Sequence, residues 1–218
     1  MVSQYLSVHS ENPQERLIAK AVDSLRRGGV MIYPTDSVYA IGCHIGDKSA
    51  LERIRSIRQL DKNHNFTLVC RDLSELGSYA KNSGVNVIVE NHGRITSNIP
   101  LLMQVINGVN MDNCGTLPDF GNFCISDEGY GSIFDGSCKE AYDIYKGISE
   151  MMPRAFGVSA KSYDFDYSGN ETKIDYSKMI DIVKKAGYKG YVGIEYEGSR
   201  LSEDEGIVAT KKLLEKLI

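Results

Sequence analysis

Val87-Ile88-Val89-Glu90, Thr116-Leu117-Pro118-Asp119 and Val192-Gly193-Ile194-Glu195 are three apolar runs that each close on an acid. Helical periodicity follows each run, and a fourth run over 155–161 behaves in the same way. The rhythm predicts strands over 85–90, 114–119, 155–161 and 191–195. Helices are expected near 99–108 and 139–151, at 176–186 with Asp175 as its cap, and at 203–217. A glycine-rich loop separates the second strand from its helix. Strands alternating with helices imply a parallel sheet with right-handed crossovers.

Side chains alternate along a strand. Glu90 therefore shares a face with Ile88, Asp119 with Leu117, and Glu195 with Gly193. In a β/α barrel that face points inward, and chemistry sits at the C-terminal strand ends. Three carboxylates converging there repel one another unless a cation lies among them. Oxygen ligands of this kind suit Mn²⁺ or Mg²⁺. Read singly, each acid is equally a helix cap or a solvated loop residue.

The earlier part of the chain has a looser pattern. Asn12-Pro13 is read as a helix start, followed by Leu17, Ile18, Ala21, Val22 and Leu25 at helical spacing and closed by Gly28-Gly29. A short buried strand is expected over 30–33, and the polar loop Pro34-Thr35-Asp36-Ser37 follows it. Asp47 is placed to cap a second helix, an apolar strand is expected over 66–70, and Asp72-Leu73-Ser74-Glu75 has capping-box spacing.

The net charge of −4 does not imply a general nucleic-acid surface. The acidic excess lies after Ala80, with fifteen basic against twenty acidic residues. No stretch approaches the roughly 20 apolar residues of a membrane helix, and the first residues lack the pattern of a signal peptide. The five widely spaced cysteines include no Cys-x-x-Cys pair. They read as reduced thiols of a cytoplasmic protein.

Val87-Ile88-Val89-Glu90-Asn91-His92-Gly93, Cys114 through Phe123, Val158-Ser159-Ala160-Lys161-Ser162-Tyr163-Asp164-Phe165-Asp166 and Gly193-Ile194-Glu195-Tyr196-Glu197-Gly198 resemble the xylose-isomerase-like TIM-barrel superfamily. Within it, the similarity is to sugar phosphate isomerase/epimerase-like proteins, and it covers about 81–218. The resemblance implies the C-terminal half of a TIM barrel, four β-α units corresponding to strands five to eight. It also implies metal-assisted proton transfer α to a carbonyl, on a small-molecule sugar or sugar phosphate. Glu90, Asp119 and Glu195 fall on metal-ligand positions, with Glu90 and Glu195 as the catalytic acid and base. Ser159 stands where the family has a histidine ligand, and Lys161 two residues on supplies fixed positive charge. His92, Asn122 and Lys161 are the implied substrate-binding residues, with Tyr163 and Arg200 on neighbouring loops.

A different family is evoked by Glu11-Asn12-Pro13-Gln14, by Val30-Met31-Ile32-Tyr33-Pro34-Thr35-Asp36-Ser37-Val38-Tyr39-Ala40-Ile41-Gly42-Cys43, and by Arg58-Gln59-Leu60-Asp61-Lys62-Asn63-His64-Asn65-Phe66-Thr67-Leu68. These stretches resemble the YrdC/YciO family, an α/β fold with a positively charged cavity for nucleotide or RNA. Thr35, Arg55, Arg58 and Lys62 are the implied, vestigial, nucleotide-binding residues. The family's Lys-x-Arg signature is replaced by Arg58-Gln59-Leu60, and its later half is absent.

The expected fold is thus α/β: a truncated YrdC-like segment over 1–80 precedes half of a TIM barrel over 81–218. The chain reads as a sugar isomerase or epimerase using a divalent metal. A YrdC/YciO-like nucleotide- or RNA-binding protein and an inactive chimera are the alternatives. Half a barrel leaves sheet edges open, so either the first segment covers them or the protein is a homo-oligomer.

Overall fold

The computed structural model describes residues 3–35, 38–126, 132–134, 136 and 138–218. The chain divides into two compact units, Met1–Val69 and Cys70–Ile218.

In the first unit, α1 (Glu15–Arg26) and α2 (Lys48–Arg58) accompany an antiparallel hairpin of β1 (Val30–Pro34) and β2 (Tyr39–Cys43). Helix α1 starts later than Asn12-Pro13 implies, with Gln14 in the cap position and no side-chain cap. Gly28 follows it at φ +76°, a conformation in which any side chain is strained. Asp47 caps α2 as expected, accepting from Ala50 N at 3.0 Å. Strand β1 forms but is not buried, since Ile32 is 69% exposed. A hairpin with no second layer leaves one face uncovered. The strand expected over 66–70 is not formed. The run has no ladder partner among the described residues, and Val69 is 78% exposed. Asp36 and Ser37 lie outside the described residues.

The second unit carries the regular architecture. Its elements are α3 (Leu73–Asn82), β3 (Val87–Glu90), α4 (Arg94–Ser97), α5 (Ile99–Val109), β4 (Cys114–Leu117), β5 (Cys124–Ser126), β6 (Glu140–Ala141), α6 (Ile144–Met151), β7 (Val158–Ser162), α7 (Tyr176–Lys185), β8 (Val192–Tyr196) and α8 (Glu203–Leu217). Asp72 caps α3 by accepting from Glu75 N, while the Glu75 carboxylate accepts from Arg71 N, one residue before the position a capping box uses. Asn113 Nδ2 donates to Gly77 O at 2.8 Å and ties α3 to this unit.

Strands β3 and β4 pair in parallel, as do β7 and β8. Parallel bridges Thr116↔Ala155 and Asp119↔Ser159 join β4 to β7. The four strands thus run β3-β4-β7-β8, in chain order. Chain order with right-handed crossovers places the major helices on one face, as in a barrel and unlike a doubly wound sheet, whose order reverses. The fold is therefore four successive β-α units of the TIM-barrel type.

The core lies between this sheet and its helices. Ile99 and Ile106 of α5, Ile148 and Met151 of α6, Met179 of α7, and Phe120 and Phe123 are all fully buried. Each side chain of this size contributes roughly 1.5–3 kcal/mol on burial. Asp143, Asp175 and Ser202 cap α6, α7 and α8, and Ser202 with Glu205 forms a capping box. Helix α6 begins at Ile144, not near 139. Residues 140 and 141 pair with β5 instead, and Cys124 is disulfide-bonded to Cys138. This corrects the reading of all five cysteines as thiols. The pairing depends on a hairpin that closes across 14 positions, which one-dimensional spacing does not reveal. Parts of the glycine-rich loop lie outside the described residues. No described helix is long and apolar enough to cross a membrane.

Candidate metal centre

Glu90 ends β3, Asp119 lies two residues beyond β4, and Glu195 is the fourth residue of β8. One oxygen from each lies within 4.8 Å of the other two. The period-2 alternation that predicted a shared face is what brings them together.

Asp119 is the fixed member. It is fully buried, and its Oδ1 accepts from the backbone N–H groups of Gly121 (2.9 Å) and Asn122 (3.0 Å). Its Oδ2 is buried with no hydrogen-bond partner. The nearby Ser159 hydroxyl instead makes a long bond to Glu195 Oε2, at 3.4 Å. A carboxylate oxygen buried without a partner is costly. Burial pushes the Asp119 carboxyl up to about 7, against the pull of the Lys161 ammonium, the neighbouring Ser159 hydroxyl and the bond from Gly121 N–H. Burial also raises Glu90, with Glu195 adding to the rise while His92, Lys161 and Asn122 oppose it.

Asn122 and Lys161 both enter the site. Lys161 is buried on β7, in register with Glu195, and its Nζ lies 3.2 Å from Glu195 Oε1 and 3.1 Å from Glu197 Oε1. It also donates to Asn122 Oδ1 at 3.0 Å. Burial pulls the ammonium down, but Asp119, Glu195 and Glu197 more than reverse this and hold it above the ordinary lysine value. Asn122 Nδ2 reaches Glu90 Oε1 at 3.4 Å. A Cβ at Gly121 would sit 2.5 Å from Tyr163 Oη and 2.8 Å from Lys161 Cδ, so only glycine lets this loop close over the lysine. Tyr163 is buried, and its Oη contacts Ser132 Oγ at 3.0 Å.

His92 is exposed; its charge bears on Glu90, and its backbone N–H donates to Thr96 Oγ1. Arg200 is exposed beyond β8. Two surface cavities of about 550 and 570 Å³ lie along α8, and neither includes the three carboxylates.

Two site residues escaped the sequence reading. Asn91 is fully buried: its Oδ1 accepts from Asp119 N (2.7 Å), and its Nδ2 donates to Asp119 O (3.0 Å) and Asn122 O (2.9 Å). Its place next to Glu90 was the one available signal. Glu197 lies two residues after Glu195 and therefore on the same side of the chain.

In the first unit, Thr35 Oγ1 donates to Val38 O at 2.6 Å. Arg55 pairs with Glu52 at 2.6 Å and stacks over Phe66 at 5.0 Å. Arg58 and Lys62 are exposed.

Residues 23–100 match a family model described as Sua5_yciO_yrdC, telomere recombination. Over 79 residues the chain is 61% identical to YciO of Escherichia coli strain K12, covering 36% of this chain and 38% of that protein. Over 66 residues it is 39% identical to the C-glycoside deglycosidase alpha subunit of Arthrobacter globiformis, covering 29% of this chain and 19% of that one. The crystal structure of an AP endonuclease of family 2 from Brucella melitensis aligns with a TM-score of 0.42 and 21% identity, over 64% of this chain and 50% of that one. The fold assignment itself rests on the strand pairing described above. The chain spans less than half the length of the curated relatives it matches. Its first part is YrdC/YciO-like, and a different α/β unit of parallel β-α repeats follows.

Proposed function

We propose that the second unit carries a metal-assisted sugar isomerase or epimerase site, with Glu90, Asp119 and Glu195 as ligands of Mn²⁺ or Mg²⁺. The observation that carries this reading is the convergence of three strand-end carboxylates around a buried, unpartnered Asp119 Oδ2. That atom has the chemistry of a missing ligand contact: a hard oxygen donor, buried, on a carboxyl group that lies beside two others. The partial similarity to a C-glycoside deglycosidase subunit supports a sugar as substrate class.

When bound, the ion supplies Lewis-acid polarisation of a carbonyl and a neighbouring hydroxyl. The protein's own residues handle the proton. One glutamate takes it from the carbon α to the carbonyl, and the other returns one from the opposite face. Glu90 suits the proton-donating role, since burial favours its neutral form. Glu195, whose Oε1 lies 3.2 Å from the Lys161 ammonium, suits the base. Asn122 orients Glu90, and Lys161 orients Glu195.

The test has two arms. Mn²⁺ calorimetry on the full chain is expected to show a site that Glu195→Gln removes, and identical isotherms would reject the ligand set. Ketoses and their phosphates, incubated in D₂O, are expected to gain deuterium α to the carbonyl in a Glu90-dependent manner.

The YrdC/YciO-like first unit has no adenylate-forming activity in this reading. Holding a triphosphate takes several charge-assisted contacts at once, and Arg55 is already engaged by Glu52 and Phe66. Incubation with ATP, threonine and bicarbonate is expected to release no pyrophosphate. Release that is lost in Arg58→Ala would restore the nucleotide-binding alternative.

A further inference from the structure

Lys161 is 1% exposed, yet its ammonium lies among carboxylates assigned here to a divalent ion. Three acceptors surround Nζ: Asn122 Oδ1 at 3.0 Å, Glu197 Oε1 at 3.1 Å and Glu195 Oε1 at 3.2 Å. An ammonium has three N–H donors, so each has a protein partner and none is left for a substrate. The acceptors come from the loop after β4, from β8 and from the segment just beyond it. Glu195 is divided between two neighbours, with Oε1 on Lys161 and Oε2 facing Ser159. Through Asn122, the lysine also bears on Glu90.

We propose that Lys161 is the resident counter-ion of this cluster, holding Glu195 in the metal-free protein and competing with a divalent ion for that carboxylate. The proposal rests on Glu90, Asp119 and Glu195 being the ligands. Its physical basis is direct. Lys161 is buried while Glu195 and Glu197 are 39% and 43% exposed, so water and salt screen the repulsion between the ammonium and a nearby divalent ion only in part. The cluster still holds more acids than bases, counting Glu90, Asp119, Glu195 and Glu197 against Lys161, so a second cation is attracted, but weakly. Ser159 adds no strong ligand to offset the repulsion. Lys161 is therefore a positioning residue that sets how readily the ion exchanges. It does not react with substrate.

The experiment titrates Mn²⁺ into wild type and Lys161→Met by calorimetry. In parallel, urea stability is measured in chelator for Lys161→Met, Glu195→Gln and the double variant. Lys161→Met is expected to bind Mn²⁺ at least about tenfold tighter. In chelator, Glu195→Gln is expected to cost less in the Lys161→Met background than in wild type. A folded Lys161→Met with unchanged or weaker Mn²⁺ affinity overturns the proposal, as does an additive cycle. If neither protein binds Mn²⁺, the competition falls together with the ligand assignment. A non-additive cycle in chelator would then show that the lysine–glutamate pairing stands without it. Should Lys161→Met fail to fold, the ¹⁵N resonance of the buried ammonium in wild type decides. It is expected to shift on adding Mg²⁺, and an unchanged resonance at calorimetric saturation overturns the proposal.

Discussion

Asn91 grips Asp119 by both of its backbone polar groups, accepting from its N–H at 2.7 Å and donating to its C=O at 3.0 Å. A side-chain amide here takes the place of a strand neighbour beyond the end of β3, and it sets where the Asp119 carboxyl points. Asn91→Leu deletes three hydrogen bonds and leaves buried backbone groups unsatisfied. The expected loss is about 2–4 kcal/mol, read from urea unfolding, with a parallel loss of Mn²⁺ binding. A variant with wild-type stability would show that Asp119 is held by its own loop.

The raised Asp119 value gives stability a pH dependence of definite sign. Between the unfolded carboxyl value and about 7, the folded chain binds more protons than the unfolded one at this group. The contribution of Asp119 to stability in chelator is therefore greatest below the unfolded value and is lost as pH rises to about 7. The total effect is on the order of 4 kcal/mol at most. Glu90 acts in the same sense. Asp166 and Glu205, lowered by their hydrogen bonds, act in the opposite sense but only under more acidic conditions. Urea midpoints of wild type and Asp119→Asn at pH 5 and pH 8 are the check. Equal slopes for the two proteins would refute the assignment.

Ser159→His places an imidazole next to the cluster. Ser159 pairs with Gly193 across β7 and β8 and bridges to Asp119, so the new ring projects toward the three carboxylates. Mn²⁺ affinity is expected to rise on the order of tenfold, the scale on which ligand surroundings change metal affinity. A weaker site would place position 159 outside the ligand shell.

Strands β3 and β8 each have one partner strand among the described residues. Ile88 is 41% exposed on β3, and Tyr191 is 94% exposed just before β8. Open edges and apolar side chains favour association, so sedimentation is expected to show a homo-oligomer. A compact monomer at micromolar concentration would count against it.

The Cys124–Cys138 bond predicts a thiol count. Unreduced protein unfolded in denaturant should titrate three thiols, from Cys43, Cys70 and the buried Cys114, and reduced protein should titrate all five. Closing a loop of this size stabilises by roughly 3 kcal/mol, so reduction should lower the urea midpoint. Five titratable thiols without reductant would show the pair open.

The sequence by itself determined the β-α rhythm from Val87 onward, the caps at Asp47, Asp143, Asp175 and Ser202, and the shared face of Glu90, Asp119 and Glu195. Of these caps, Asp47 and Asp175 are the ones the sequence reading names; Ser202 is not named there, and Asp143 is hidden by the neighbouring 140–141 strand, which displaces the helix start. Such features are local: strand alternation repeats every two residues, and a cap bonds within three. Tertiary structure decided what depends on distant partners. The apolar run at 66–70 stayed out of any ladder, because a strand exists only where another lies beside it. Ile32 sits on a strand but is exposed, because burial needs a second layer. Asn91, Glu197 and the Cys124–Cys138 bond came to light only in three dimensions. Each acts on residues brought near by chain crossings, and the energy of such a contact is not written in the spacing of its neighbours.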